Sequence, residues 1–210
     1  MISVYLVDDH AVVRAGFRSL LEAESDIHVI GEASSGEEAY RGYFELYPDV
    51  VVADISMPGE GGLGLLRRLF ARDKNVRVLV MSMFDDVAFV KRAMEYGGMG
   101  YISKSDDPDL LAKAVRTVAA GDTFVAPVLA QQMLGSMRDR QRNPQELLTD
   151  REFEVFVLLA KGKGAKEIAG VLNLSPKTVG THQTRVFHKL SVSTGAELAR
   201  LAIRLNIINP

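Results

Sequence analysis

The sequence predicts two domains of different class: a doubly wound α/β domain on a parallel five-stranded sheet, then an all-α domain. Three observations carry this. Residues 2–120 alternate short apolar, β-branched runs with amphipathic stretches, five times in succession. Residues 148–208 are helical in pattern and contain no strand candidate. Charge divides at the same place: from Gln145 onward nine Lys and Arg face six Asp and Glu, +3, which leaves −5 upstream. An acidic first part and a mildly basic second part imply different partners. A surplus of +3 is too small to be a nucleic-acid footprint by itself.

Strands are expected at 3–7, 28–33, 50–53, 77–81 and 100–102. The third, VVVA, is apolar throughout, as a strand covered on both faces should be. Helices are expected between them at 12–23, 36–46, 63–71, 87–96 and 108–119. In the first, Val13, Phe17, Leu20 and Leu21 share one face. After Gly121 the rhythm stops. A short helix is expected at 127–137, and RDRQRNP at 138–144 reads as the end of a linker. Four helices follow, at 150–161, 165–172, 176–190 and 195–205. The domains expected are therefore 1–121, a linker at 122–144, and 145–210.

Composition narrows the function. The 210 residues are 47% hydrophobic and 25% charged, enough for two packed cores. No cysteine is present, which excludes disulfides and thiolate metal sites. The start, MISVYLVDDHAVV, does not read as a signal peptide, and no apolar run approaches the ~20 residues of a membrane span. A cytoplasmic protein with no membrane partner is expected.

In an open parallel sheet, ligands bind at the carboxyl ends of the strands. Asp8 and Asp9 follow the first strand, Asp54 the third, Ser82 ends the fourth and Lys104 follows the fifth. Three carboxylates brought together repel one another. A hard cation such as Mg²⁺, which prefers carboxylate and water oxygens, relieves that repulsion. Lys104 adds a positive charge for an anion and Ser82 a hydroxyl donor. The set suits phosphoryl transfer to a carboxylate, with Asp54, alone at the centre of the rim, as nucleophile and Asp8 or Asp9 holding the metal.

Two other readings compete for this stretch. Gly59-x-Gly61-x-x-Gly64 has the spacing of a dinucleotide fingerprint. Asp54 would then face an anionic pyrophosphate, so a flexible glycine-rich turn beside the acidic pocket is the simpler expectation. An aspartyl phosphatase of the haloacid-dehalogenase type wants a second Asp two residues after the nucleophile, where this chain has Ser56.

LVDDH at 6–10, VVADISMPG at 51–59, VLVMS at 78–82 and GYISK at 100–104 resemble the receiver domain of bacterial two-component response regulators, a flavodoxin-like fold. The stretch LTDREFEVFVLLAKGKGAKEIAGVLNLSPKTVGTHQTRVFHKL resembles a LuxR-type helix-turn-helix. Together they look like the NarL/FixJ subfamily of transcription regulators rather than an enzyme. The resemblance implies that Asp54 is the phosphoacceptor of a partner sensor histidine kinase. It implies a Mg²⁺ site at Asp8, Asp9 and Asp54 with the backbone carbonyl of Ser56. Ser82 and Tyr101 match the switch hydroxyl and switch aromatic, and Lys104 the lysine that pairs with the phosphoryl group. The family often has a cis proline after that lysine; here Ser105 follows, so the isomer of that bond is open.

For the second domain the resemblance implies double-stranded DNA as partner, and a homodimer formed when phosphorylated, with the last helix in the dimer. Ser175-Pro176 is a strong helix start. From there Val179, Val186 and Leu190 would face the core, with Phe187 beside them. The other face shows Lys177, Thr178, Thr181, Thr184 and Arg185, side chains that a major groove admits. Lys163 and Lys166, at the start of the preceding helix, are candidates for phosphate contacts. Gly180 stands where the family often has a polar side chain. A regulator of the same fold that works without phosphorylation, through protein contacts or a ligand, is the alternative.

Overall fold

The computed structural model describes residues 1–136, 147–205 and 207–208. The chain forms two compact units, one built on Met1–Asp85 and Phe89–Ala130, the other on Asp86–Ala88 and Gln131–Pro210. The expected linker stretch at 138–144 lies outside the described residues.

In the first unit, β1 (Ile2–Val7), β2 (Ile27–Ala33), β3 (Val50–Asp54), β4 (Val78–Ser82), β5 (Gly100–Ser103) and β6 (Phe124–Val125) form one parallel sheet. The strand order is β2-β1-β3-β4-β5-β6. Helices α1 (Ala11–Glu22), α2 (Gly36–Leu46), α3 (Gly61–Arg72), α4 (Val87–Glu95) and α5 (Pro108–Ala119) connect the first five strands and follow the last of them. β3 and β4 are buried at every position, as central strands covered on both faces must be. One core joins Val4, Leu6, Val50, Val52, Leu79 and Met81 of the sheet to Leu111, Val115 and Val118 of α5.

The sheet has six strands, not five. After α5 the chain turns back and Phe124 donates its N–H to the Met99 carbonyl, while Ala126 donates to that of Tyr101. Two residues are too few to register as a strand period, so Phe124-Val125 reads as linker until its backbone partners are known. α6 (Pro127–Ser136) follows where a short helix was expected. The apolar face expected of α1 is narrower: Leu21 is fully buried and Val13 and Phe17 half-buried, but Leu20 is 41% exposed.

The second unit is helical over its described residues: α7 (Asp150–Ala160), α8 (Ala165–Val171), α9 (Pro176–Leu190) and α10 (Gly195–Arg204). Each long helix starts on a side-chain cap. Thr149 accepts from the Glu152 N–H while the Glu152 carboxylate accepts from the Thr149 N–H, a reciprocal pair that satisfies two orphan donors. Ser175 accepts from Thr178 N–H at 3.0 Å and Thr194 from Glu197 N–H at 3.2 Å. Phe153, Phe156, Ile168, Val179, Val186, Leu198 and Ala202 are fully buried. Leu190 and Phe187, expected with them, are half-buried.

Gly180 sits within α9 with no atom within 4 Å of where a Cβ would stand. Alanine there adds a methyl to open space and removes a helix-interior glycine, which costs about 1 kcal/mol. Gly180→Ala is expected to slow amide hydrogen exchange along α9 by an amount near that figure. Unchanged exchange would show that α9 does not open independently of its neighbours.

Candidate functional site

The strand order makes β1 and β3 neighbours, then β4, then β5. The residues that end these strands therefore meet at one edge. Asp8 follows β1, Asp54 is the last residue of β3, Ser82 the last of β4, and Lys104 follows β5. All converge as their spacing predicts. Asp8 and Asp54 are buried, at 1% and 0% exposure, and the Lys104 side chain is 7% exposed.

Lys104 Nζ bridges the two aspartates, 2.6 Å from Asp8 Oδ2 and 2.8 Å from Asp54 Oδ2. Asp54 Oδ1 accepts from the Ser56 N–H at 3.0 Å, and Asp8 Oδ1 from the His10 N–H at 2.8 Å. Burial pushes the Asp54 carboxyl above the usual carboxylate range, against the opposing pull of Lys104. Burial alone would lower the Lys104 ammonium, but the carboxylates of Asp54 and Asp8 together raise it. One cation is thus shared between buried anions with Asp9 beside them.

His10 belongs to this cluster although its sequence position did not mark it. Its Nδ1 lies 2.9 Å from Asp9 Oδ1 and 3.5 Å from Asp8 Oδ1. Oxygen and nitrogen atoms of Asp8, Asp9, His10 and Asp54 lie within 4.8 Å of one another. Three carboxylates and one ammonium leave surplus negative charge in a buried place, so the donor set fits a hard divalent cation. The Ser56 hydroxyl is also buried here, with no hydrogen-bond partner among the described residues.

Ser82 and Tyr101 both hold the backbone of Phe84. Ser82 Oγ accepts from the Phe84 N–H at 2.9 Å, and the Tyr101 hydroxyl donates to the Phe84 carbonyl at 2.8 Å. Tyr101 is fully buried and the Phe84 ring stacks on Phe89, centroids 4.3 Å apart. Phe84 was missed in the sequence because its part is played by peptide atoms, which any residue supplies. The Lys104–Ser105 bond is trans.

Of the glycines after Asp54, Gly59 lies in a turn at φ +80°, whereas Gly61, Gly62 and Gly64 belong to α3. Gly61 starts α3 at φ +71°, a left-handed backbone that suits glycine. Gly62 donates its N–H to the Ile55 carbonyl at 2.9 Å, and a Cβ on it would lie 2.0 Å from the Asp54 carbonyl oxygen. The helix begins two residues earlier than its apolar pattern because the missing side chains let it abut the end of β3.

On α9, Lys177, Thr181, Thr184 and Arg185 are exposed and Thr178 is half-buried, its hydroxyl 2.8 Å from that of Ser175. Lys166 is exposed in α8; Lys163 precedes that helix and is half-buried. His182 is half-buried, and burial, then the Arg151 charge, hold its imidazole below the usual range.

Two family models match the chain: response regulator receiver domain over residues 4–116, and bacterial regulatory proteins of the luxR family over 146–202. Response regulator UvrY of Escherichia coli K12 is 38% identical over all of this chain and 97% of its own length. Response regulator GacA of Pseudomonas viridiflava is 37% identical over all of this chain and 99% of its own. The solved structure of RcsB from Salmonella enterica serovar Typhimurium, bound to promoter rprA in the presence of phosphomimetic BeF3⁻, is 26% identical with a TM-score of 0.64. That likeness covers 95% of this chain and 98% of that one.

Gly62→Ala is expected to destabilise the first unit by about 1–3 kcal/mol in denaturant unfolding, as overpacking does. An unchanged midpoint would mean that α3 can retreat from β3 without loss.

Proposed function

The chain belongs to the two-component response regulators of the NarL/FixJ type, DNA-binding transcription regulators with a receiver domain ahead of a LuxR-type helix-turn-helix, and we propose that phosphorylation of Asp54 controls its dimerisation and its action on DNA. The phosphoryl donor is a phosphohistidine on a partner sensor kinase. One Asp54 oxygen takes the phosphoryl group and the imidazole departs. The observation that carries this reading is the buried Asp8–Lys104–Asp54 bridge at the carboxyl end of the sheet.

Asp8, Asp9 and Asp54 would hold Mg²⁺ with the Ser56 carbonyl. The ion supplies charge neutralisation for the phosphoryl oxygens when bound. Lys104, already at Asp54 Oδ2, pairs with the new anion. Asp54 keeps its Ser56 N–H bond, which fixes the carboxylate plane. The Ser82 hydroxyl turns to donate to the phosphoryl group, and the Phe84 peptide that it holds moves with it. Tyr101 feels that movement through the Phe84 carbonyl. A local charge event is thus passed to a buried aromatic side chain through one peptide unit.

In the second unit α9 is the recognition helix, with Thr178, Thr181, Thr184 and Arg185 toward the groove and Lys163, Lys166 and Lys177 toward phosphates. α10 offers apolar surface to a second copy, with Ile203 exposed and Leu201 and Leu205 half-buried. Among the described residues no helix is long and apolar enough to cross a membrane.

Three outcomes test the reading. Asp54→Asn keeps the shape of the carboxylate and removes its nucleophilicity, so it should fold and take no phosphoryl label from a kinase or small phosphodonor. Continued labelling of that variant would sink the assignment. Lys177→Ala should weaken binding to all duplexes alike and reduce the slope of log affinity against log salt by about one. An unchanged slope removes Lys177 from the phosphate contacts. Affinity for a promoter pool should rise with beryllofluoride and Mg²⁺ and fail to rise in Asp54→Asn; equal binding with and without them points to control independent of phosphorylation.

A further inference from the structure

The outward ridge of α9 has a chemistry of its own, whose use rests on the DNA-binding function proposed for the second unit. Lys177, Thr181, Thr184 and His188 recur at helical spacing and all are exposed. They lie opposite Val179 and Val186, which are fully buried. The Thr181 hydroxyl donates to the Lys177 carbonyl at 3.2 Å, and the Thr184 hydroxyl to the Gly180 carbonyl at 3.0 Å. A hydroxyl has one proton to donate. In both threonines it is spent inside the helix, so neither offers a donor to the N7, O6 or O4 acceptors of the major groove. With each hydroxyl committed to the helix, the methyl is the group each side chain has left for a base edge. Beside them Gly180 has no side chain and open space around it.

The middle of the ridge is therefore two methyl groups next to bare backbone, with Lys177 toward one end and Arg185 alongside. That stretch of methyls, unlike Lys177 and Arg185, cannot reward guanine, whose major-groove edge presents acceptors. It fits the C5-methyl of thymine. We propose that Thr181 and Thr184 read thymine methyl groups, and that Gly180 lets the helix backbone sit deep enough in the groove for both to reach. Residues three apart on a helix have Cβ atoms about 5–6 Å apart, against about 3.4 Å per base step, so the two thymines lie on adjacent or next-but-one base pairs.

The full chain, with beryllofluoride and Mg²⁺, selects duplexes from a randomised pool. The preferred site is then remade with each thymine replaced singly by uracil, which removes the methyl and nothing else. Two thymines per half-site are expected at which uracil weakens binding about fourfold, the worth of one buried methyl at about 0.8 kcal/mol. Thr181→Ser keeps the back-bonded hydroxyl and loses only the methyl. That variant should be insensitive to uracil at one of the two positions and sensitive at the other, with Thr184→Ser showing the converse. A selected site at which no uracil weakens binding, or serine variants that keep both sensitivities, overturns this inference and leaves DNA binding in place. Failure to retain any duplex even at low salt overturns the DNA-binding reading, and this inference with it.

Discussion

The Lys104 ammonium lies between Asp8 and Asp54, 2.6 and 2.8 Å from their oxygens, and draws together residues 96 and 50 positions away along the chain. Carboxylates this deeply buried cost several kcal/mol each when ionised unless a partner offsets them. Lys104 is that partner, and it reaches both only because β1 and β3 are adjacent and β5 returns beside β4. The close approach of α3 serves the same end, since Gly62 lets the helix meet the backbone of Asp54 itself. The pocket holds more negative than positive charge at rest. That imbalance favours a divalent ion, and it makes the arrival of a phosphoryl group a large local perturbation.

In the proposed function that perturbation has a short route to a buried side chain. Ser82 and Tyr101 stand on neighbouring strands, two residues apart in register, and each grips a different end of the Phe84 peptide region. The Phe84 ring is stacked on Phe89 as well. A packed core of this kind responds by changing between discrete arrangements rather than by bending gradually. The coupling needs no special residue at position 84, only a peptide held at both ends.

The helical unit works under a tighter constraint. A module of about 60 residues has little core to spare, so its helices depend on caps: Thr149 with Glu152, Ser175, and Thr194. Lys189 of α9 reaches the buried Glu152 of α7 at 2.6 Å, which ties the recognition helix to the first turn of its neighbour. α9 spends Val179 and Val186 on the core and keeps the opposite ridge for other uses. Gly180 gives up more intrinsic helix stability than the threonines and valines around it, and it does so on the open side.

The sequence by itself determined the alternation of strands and helices, because apolar runs and amphipathic periods are local patterns. It also determined the rim residues Asp8, Asp54, Ser82 and Lys104, since strand ends in a parallel sheet all point to one edge. The start of α9 was legible too, because Ser175-Pro176 satisfies a helix terminus within four residues. Tertiary structure alone decided the rest. β6 exists through backbone bonds to β5, and two residues have no period to read. Leu20 is exposed because burial depends on what α1 packs against, not on its own spacing. Gly61 and Gly62 read as a loop until the backbone that Gly62 abuts is in place. Phe84 joins the site through its peptide, and His10 through its distance to Asp9. Side-chain identity can be scanned along a chain; a close approach between two distant backbones exists only in the fold.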